Sequence, residues 1–110
     1  MNKRTALYCR TATPDAGAIT QQRTTLRRFA DEHGFADVEL YEDDGYSGLN
    51  PARPAFSRLE HDIRDGKVVR VLAVSVTRLG RNIEDVLMWA RALRDQGVEL
   101  FVLKGGPANE

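Results

Sequence analysis

The sequence predicts an α/β domain of three layers: a mostly parallel sheet of four strands, in the order β-α-β-α-β-α-β, with helices on both faces. Short apolar runs rich in β-branched residues alternate with longer segments in which apolar residues recur at helical spacing. This alternation is typical of parallel strands joined by right-handed helical crossovers. A chain of 110 residues has the size of one domain, so we expect a single unit over residues 1–110.

The first half of the chain is predicted to contain two strands and one helix. Thr5 to Cys9 is short and apolar and is followed by turn-prone residues, which favours a buried strand. Apolar residues recur at helical spacing from Ala18 to His33, and Gly34 is a typical helix stop. Val38 to Tyr41 predicts the second strand. The turn-rich stretch 42–51 that follows is predicted to be a mobile loop.

The second half is predicted to contain two further helices and two strands. Three apolar residues at helical spacing predict a helix that ends near Asp65: Phe56, Leu59 and Ile63. The β-branched run from Val68 to Val76 predicts a central strand. Asn82 can cap the last helix, whose buried stripe is expected to consist of Ile83, Val86, Leu87, Ala90 and Leu93. Val98 to Leu103 predicts the final strand.

Charge and hydropathy argue against several classes of protein. The 16 Lys and Arg residues balance the 16 Asp and Glu residues, so contact with DNA or an anionic surface would need a local basic patch. No apolar run approaches the length of a membrane span, and the start MNKRTALYCR lacks the long apolar region of a signal peptide. The single Cys9 cannot form an internal disulfide. We therefore expect a cytoplasmic protein without membrane contact.

Three polar segments directly follow predicted strands. They cover residues 10–13, 44–53 and 77–81. Ligands of parallel sheets bind beyond the carboxyl ends of the strands, so these segments are expected to meet at one edge. Together they carry four arginines, whose forked donors match phosphate oxygens: Arg10, Arg53, Arg78 and Arg81. A phosphate pocket is one interpretation of this pattern, and ordinary solvated surface charges are the other.

Four segments resemble, in order and spacing, the catalytic domain of serine site-specific recombinases, the resolvase and invertase group and especially the large serine integrases. They are ALYCRTAT, QQRTTLRRFA, YEDDGYSGLNPARPAFSRLEHDI and VLAVSVTRLGRNIEDV, and the four together are far more specific than any one of them. The resemblance runs from about Thr5 to about Val102. It implies a resolvase-like fold and a reaction in which a serine attacks a DNA phosphate, forms a phosphoseryl link and frees a 3' hydroxyl. It implies no metal or other cofactor.

The resemblance also assigns functional residues. The family's arginines that surround the DNA phosphate fall on Arg10, Arg53, Arg78 and Arg81. Its helix glutamine falls on Gln21 or Gln22, and its aspartate before the Ser-Gly pair falls on Asp44. We expect Gln22 and Asp44 to help hold the arginines in place.

The most informative departure from the family lies at the nucleophile. The serine position is occupied by Ala12, which has no atom able to attack phosphorus, so strand cleavage is expected to be impaired. Near a strand end adjacent side chains point to opposite faces, so Thr11 and Thr13 are both expected to point away from the direction of Ala12. A smaller departure is Thr77, which stands where the family commonly has aspartate or serine before Arg78.

These features imply a recombinase catalytic-domain homologue associated with DNA recombination, with a phosphate pocket but little or no cleavage of its own. Binding to DNA is expected to be weak for this chain alone, because we expect no long dimerisation helix or DNA-binding domain within it. A homo-oligomer or a larger partner recombinase would then assist. The alternatives are an active recombinase that uses Thr11, Thr13 or a partner's active site, and a non-DNA interaction or regulatory protein that uses a surface around Met88 and Trp89.

Two other reactive groups have structural interpretations. The acidic run Glu42, Asp43 and Asp44 could chelate a divalent cation, but the loop offers fewer oxygens than such a site needs, so no metal is expected. Cys9 lies in a predicted buried strand beside Arg10, and apolar packing is a better interpretation than a reactive thiol.

Overall fold

A computed structural model of the protein describes residues 3–46, 53–80 and 82–104. In these residues the chain forms four strands, which are β1 (Arg4–Thr11), β2 (Val38–Asp44), β3 (Val68–Ala73) and β4 (Glu99–Val102). It also forms four helices, which are α1 (Ala16–Glu32), α2 (Pro54–Arg64), α3 (Val76–Leu79) and α4 (Ile83–Asp95). None of the described helices is both long enough and apolar enough to cross a membrane.

The strands form one sheet in the order β2-β1-β3-β4, and every neighbouring pair is parallel. The predicted parallel α/β sheet is therefore confirmed. Because all four strands run in the same direction, their carboxyl ends lie along one edge, with β1 and β3 at the centre of the sheet. That edge is where residues far apart in the sequence can meet.

Helices cover both faces of the sheet, because side chains alternate along the strands. On β1, Leu7 and Cys9 pack with the apolar face of α1, whereas Ala6 and Tyr8 pack with α2, α3 and α4. All four of these β1 side chains are fully buried. The central strand β1 thus contributes side chains to two separate hydrophobic cores. Packing on both faces fixes the position of its carboxyl end.

The predicted loop after the second strand begins later than expected. Glu42, Asp43 and Asp44 belong to β2, where they pair with Cys9, Arg10 and Thr11 of β1. The prediction of a loop over these residues was wrong because acidic residues are rare in strands, whereas here each carboxylate finds a partner on a neighbouring element. Residues 47–52, the rest of the predicted loop, lie outside the described residues.

The predicted central strand also ends earlier than expected. β3 stops at Ala73, and the β-branched continuation turns into α3, in which Val76 and Leu79 are buried. The strand's last carbonyls are still paired, since Ala73 O and Val74 O accept hydrogen bonds from the chain that follows β4. Propensity predicted a strand here, but burial of one side of a short helix determines the conformation.

The buried stripe of α4 is narrower than predicted. Val86 and Leu93 are buried, but Leu87 is 51% exposed and the neighbouring Met88 is 69% exposed. Trp89, expected at the edge of the stripe, is half-buried with its ring centroid 5.0 Å from that of Phe56. The placement of Leu87 in the core was therefore wrong, since this side chain lies in an open cavity beside the edge strand β4.

Candidate functional site

Three of the four predicted arginines meet at the carboxyl edge of the sheet. Arg10 lies at the end of β1, Arg53 is the residue before the first turn of α2, and Arg78 lies in α3. The Arg10 Nε donates a hydrogen bond to the carbonyl of Arg78, and an Arg78 guanidinium nitrogen donates to the carbonyl of Arg10 at 3.1 Å. Arg81 lies outside the described residues, so its predicted place in the cluster stays a prediction.

Arg10 is held by main-chain carbonyl groups. Its side chain is buried and donates to the carbonyl oxygens of Arg78 at 3.3 Å, Tyr46 at 2.9 Å and Thr77. Burial lowers the pKa of Arg10, and the positive charges of Arg53 and Arg78 act in the same direction. The guanidinium is therefore fixed in a positive environment by neutral acceptors.

Arg53 lies on the α2 side of the same edge. Its exposed fraction is 8%, and one guanidinium nitrogen donates to the Leu79 carbonyl at 3.2 Å and to the Tyr8 hydroxyl at 3.4 Å. The guanidinium carbon is 4.0 Å from the centroid of the Phe56 ring, in cation–π contact. Arg53 is thus fixed by packing as well as by hydrogen bonds.

Asp43, which the sequence analysis did not single out as a site residue, lies beneath the arginines and links β2 to β1 and α2. It is 1% exposed, and its carboxylate accepts hydrogen bonds from the Tyr8 hydroxyl at 2.7 Å and from the amides of Ala55 at 2.8 Å and Phe56 at 3.0 Å. Burial and this hydrogen bond raise the pKa of Tyr8, so the phenol stays protonated. The sequence did contain a signal for this role. Side chains alternate along a strand, so Asp43 must face the opposite side of β2 from Glu42 and Asp44.

Asp44 does not contact the arginines in the described part of the chain. Its Oδ1 accepts hydrogen bonds from the Thr11 hydroxyl at 2.6 Å and from the Asp15 amide at 2.7 Å, in that order the causes that lower the pKa of Asp44. Asp44 therefore ties the end of β1 to the start of α1. Its contacts here place it in the turn that carries Ala12, and because Arg81 lies outside the described residues, the expectation that Asp44 helps to hold an arginine stays a prediction.

Gln22 holds the main chain of Arg10. Its side-chain oxygen accepts from the Arg10 amide at 3.1 Å, and its side-chain nitrogen donates to the Arg10 carbonyl at 3.0 Å. Gln22 is buried in α1, whereas Gln21 is exposed. Of the two glutamines that the sequence offered, Gln22 is the one in contact with the arginine cluster.

The position expected to carry a nucleophile is open to solvent but holds only a methyl group. Ala12 and Thr13 are exposed. Thr11 is 5% exposed, and its hydroxyl both donates to Asp44 and accepts from the Gly45 amide at 3.0 Å. Burial and then the negative charge of Glu42 raise the pKa of the Cys9 thiol to about 12, so a thiolate is not available nearby.

The arginine cluster carries more positive charge than the one carboxylate beneath it balances. In residues 3–46, 53–80 and 82–104, no ion pair joins Arg10, Arg53 or Arg78 to a carboxylate. Asp43 is the buried carboxylate beneath them, and Tyr8 and two backbone amides already bind it. Three guanidinium groups over one carboxylate favour an anionic ligand with several oxygens.

The protein is an α/β domain with an arginine cluster at the carboxyl edge of a β2-β1-β3-β4 sheet. Comparison with known proteins identifies the family to which this domain belongs. The model of the resolvase N-terminal domain matches residues 5–110, and the chain belongs to that family. The fold is that of serine recombinase catalytic domains, as the resemblance implied.

Two solved structures illustrate the relationship. The N-terminal catalytic domain of TP901-1 integrase is 29% identical with a TM-score of 0.82, over 92% of this chain and 78% of that chain. A resolvase family site-specific recombinase from Streptococcus pneumoniae is 30% identical with a TM-score of 0.80, over 99% of this chain and 78% of that chain.

A relative in Bacillus subtilis (strain 168) is similar over a shorter region. It is named as a DNA recombinase and is 34% identical over 76 residues, which are 69% of this chain and 15% of that protein. The chain therefore spans a small fraction of the relative's length.

Proposed function

We propose that the protein is a DNA-binding homologue of the serine recombinase catalytic domain, which holds DNA phosphates at the arginine cluster and does not itself cleave the strand. The observation that carries the proposal is the cluster of Arg10, Arg53 and Arg78 at the carboxyl edge of a resolvase-family sheet, with Ala12 directly after β1 and two residues after Arg10. The cluster supplies the charge that a phosphate needs, and position 12 lacks the oxygen that would attack it.

Phosphate binding is supported by how the arginines are held. Gln22 and the carbonyls of Thr77 and Tyr46 fix the main chain and the guanidinium of Arg10. Donors that are fixed before the ligand arrives lose little conformational entropy on binding. Arg78 is similarly anchored by the Arg10 carbonyl. The cluster thus combines an excess of positive charge with fixed donors, as phosphate recognition requires.

Loss of cleavage is supported by the surroundings of position 12. The adjacent Thr11 hydroxyl is buried and is held by Asp44 and Gly45, so attack by Thr11 would require breaking both hydrogen bonds. Displacement of a nucleophile by about one ångström can cost about a hundredfold in rate. A recombinase reaction through Thr11 is therefore disfavoured relative to binding alone.

The proposed partner is duplex DNA, bound weakly by this chain and more strongly in a complex with further copies or with a larger recombinase. A few phosphate contacts give affinities that fall steeply with salt. The proteins that this chain resembles are described as recombinases and integrases, and it spans 15% of one of them. A catalytically silent copy beside an active one would occupy DNA without cutting it.

The test is fluorescence anisotropy of a labelled duplex at low salt, with Arg78→Ala compared with Arg64→Ala. Both variants remove one positive charge, but Arg64 ends α2 at the opposite end of the helix from the cluster. Losing one phosphate contact at about 50 mM salt should weaken binding on the order of tenfold and reduce the slope of log affinity against log salt by about one.

Arg64→Ala is expected to bind nearly as the natural chain does, and circular dichroism verifies that both variants fold. Equal losses in the two variants would mean that binding follows overall charge and not the cluster. Absence of any binding by the natural chain at low salt would refute the proposal outright.

A further inference from the structure

A polar cavity lies beside Arg78, between α1 and the chain segments that follow β3 and β4. Its volume is about 250 Å³. Side chains from three parts of the chain line it, including Gln21, Thr25, Arg78 and Lys104. Gln21 and Thr25 are four residues apart on α1 and so lie on the same side of that helix. The cavity is thus adjacent to the arginine cluster but opens on the α1 face of the sheet.

The main chain places Lys104 at this cavity. Its amide donates to the Val74 carbonyl at 2.8 Å, and the amide before it donates to the Ala73 carbonyl at 3.1 Å. These bonds extend the pairing of β3 with the chain beyond β4. Lys104 is exposed, and its ammonium has no hydrogen-bond or ion-pair partner among residues 3–46, 53–80 and 82–104. Its charge is therefore available to a ligand.

Arg78 brings a second positive charge to the same cavity. Its Nε is buried and has no hydrogen-bond partner in the described part of the chain, whereas one of its terminal nitrogens is bonded to the Arg10 carbonyl. The described lining contains two cations, side-chain amides and a hydroxyl, but no carboxylate.

We infer that this cavity is a second phosphate subsite, formed by Lys104, Arg78, Gln21 and Thr25. The inference rests on the proposed function where the phosphate belongs to DNA: Arg78 would lie between two phosphate groups, with the arginine cluster on one side and Lys104 on the other. A free phosphate has the same chemistry and could occupy the subsite alone. An ammonium, a guanidinium and neutral hydrogen-bond donors suit a tetrahedral anion in either case.

The experiment compares Lys104→Gln with Lys67→Gln in two titrations. Each variant replaces one exposed lysine, but Lys67 lies at the opposite edge of the sheet, just before β3. The first titration adds inorganic phosphate and follows backbone amides by NMR. The second adds a labelled duplex over a range of salt and follows anisotropy.

In the natural chain, phosphate should shift the amides of residues 21, 25, 78 and 104, and Lys104→Gln should weaken that binding several-fold. The same variant should weaken duplex binding and lower the salt slope by about one, whereas Lys67→Gln changes neither. Thr25→Val, which removes the hydroxyl without removing charge, should weaken phosphate binding less than Lys104→Gln does.

Two outcomes separate the sources of phosphate. Phosphate shifts at these amides with unchanged duplex affinity in Lys104→Gln would support a subsite for a free anion and overturn its DNA role. Phosphate binding here without any duplex binding by the natural chain would support the subsite while refuting the proposed function. No shift at these amides, with Lys104→Gln indistinguishable from Lys67→Gln, would overturn the inference.

Discussion

At the scale of single residues, the proposed loss of cleavage rests on Ala12. Gln22 holds the main chain of Arg10, main-chain carbonyls hold the arginine side chains, and none of these contacts involves the side chain at position 12. A serine there would therefore leave the surrounding hydrogen bonds unchanged. In the proposed function, loss of cleavage follows from Ala12 and phosphate binding follows from the arginines, so the two properties can be tested separately.

The corresponding prediction concerns Ala12→Ser. The variant should form a covalent protein–DNA adduct on a nicked duplex, because the hydroxyl is added beside an intact cluster, whereas the natural chain should form none. Denaturing gel electrophoresis with end-labelled DNA measures the adduct. Thr13→Ser is the matched control, since it also presents a serine hydroxyl in the same exposed turn. An adduct with the natural chain would mean that another group attacks.

At the same scale, the sequence predicted the cluster better than its supports. The order of the motifs along the chain was enough to predict that Arg10, Arg53 and Arg78 lie at the same edge of the sheet. Asp43 was treated as one of three loop acids, because its role depends on α2 packing against the end of β2. Asp44 matched a family pattern, but its contacts are set by the turn before α1.

At the scale of elements, the N-terminus of α2 is capped by a side chain from β2. Arg53 occupies the N-cap position but its side chain makes no capping bond, and Asp43 accepts from the amides of the second and third helical residues instead. A carboxylate is also favourable at the positive end of the helix dipole. This contact couples the end of β2 to the helix that carries Arg53.

Asp43→Asn should therefore lower the free energy of unfolding by about 3 kcal/mol, because a buried carboxylate that accepts three hydrogen bonds and faces arginines is neutralised. Urea unfolding followed by circular dichroism measures the loss. Asp44→Asn, one residue further along β2 and exposed, should cost less. A smaller loss for Asp43→Asn than for Asp44→Asn would exclude the capping account.

Element types were predictable from periodicity, and their ends were less so. The run from Val68 to Val76 is uniformly β-branched, yet the chain leaves the sheet after Ala73 because α3 buries Val76 and Leu79. Leu87 fits the helical spacing of a buried stripe but is half-exposed in a cavity beside the edge strand β4. In both cases the local sequence pattern allows more than one outcome, and tertiary packing determines where the strand ends and which side chains are buried.

At the scale of the whole molecule, two buried tyrosines make stability depend on alkaline pH. Burial and then hydrogen bonds to carboxylates raise the pKa of Tyr8, bonded to Asp43, and of Tyr41, bonded to Asp62. A raised folded-state pKa gives stability that is fully present below the unfolded pKa of about 10 and is lost as pH rises above it. Cys9 acts in the same direction.

The fold should therefore lose stability above about pH 10, as ionised tyrosine favours the unfolded chain. Tyrosinate absorbance at 295 nm, recorded with far-UV circular dichroism, measures both events. Tyr41→Phe should make the decline with pH shallower, since one of the buried phenols is then removed. Full ionisation of all three tyrosines at a pH where the helices remain folded would disprove this explanation.

The most direct test of the central claim is an NMR titration of the 15N-labelled natural chain with a short duplex at low salt. Binding at the arginine cluster predicts that amide signals of residues 10–13 and 76–80 shift together and return when salt is added. Shifts confined to the opposite edge of the sheet, around residues 64–68, or no shifts at all, would contradict the claim that this cluster binds DNA phosphate.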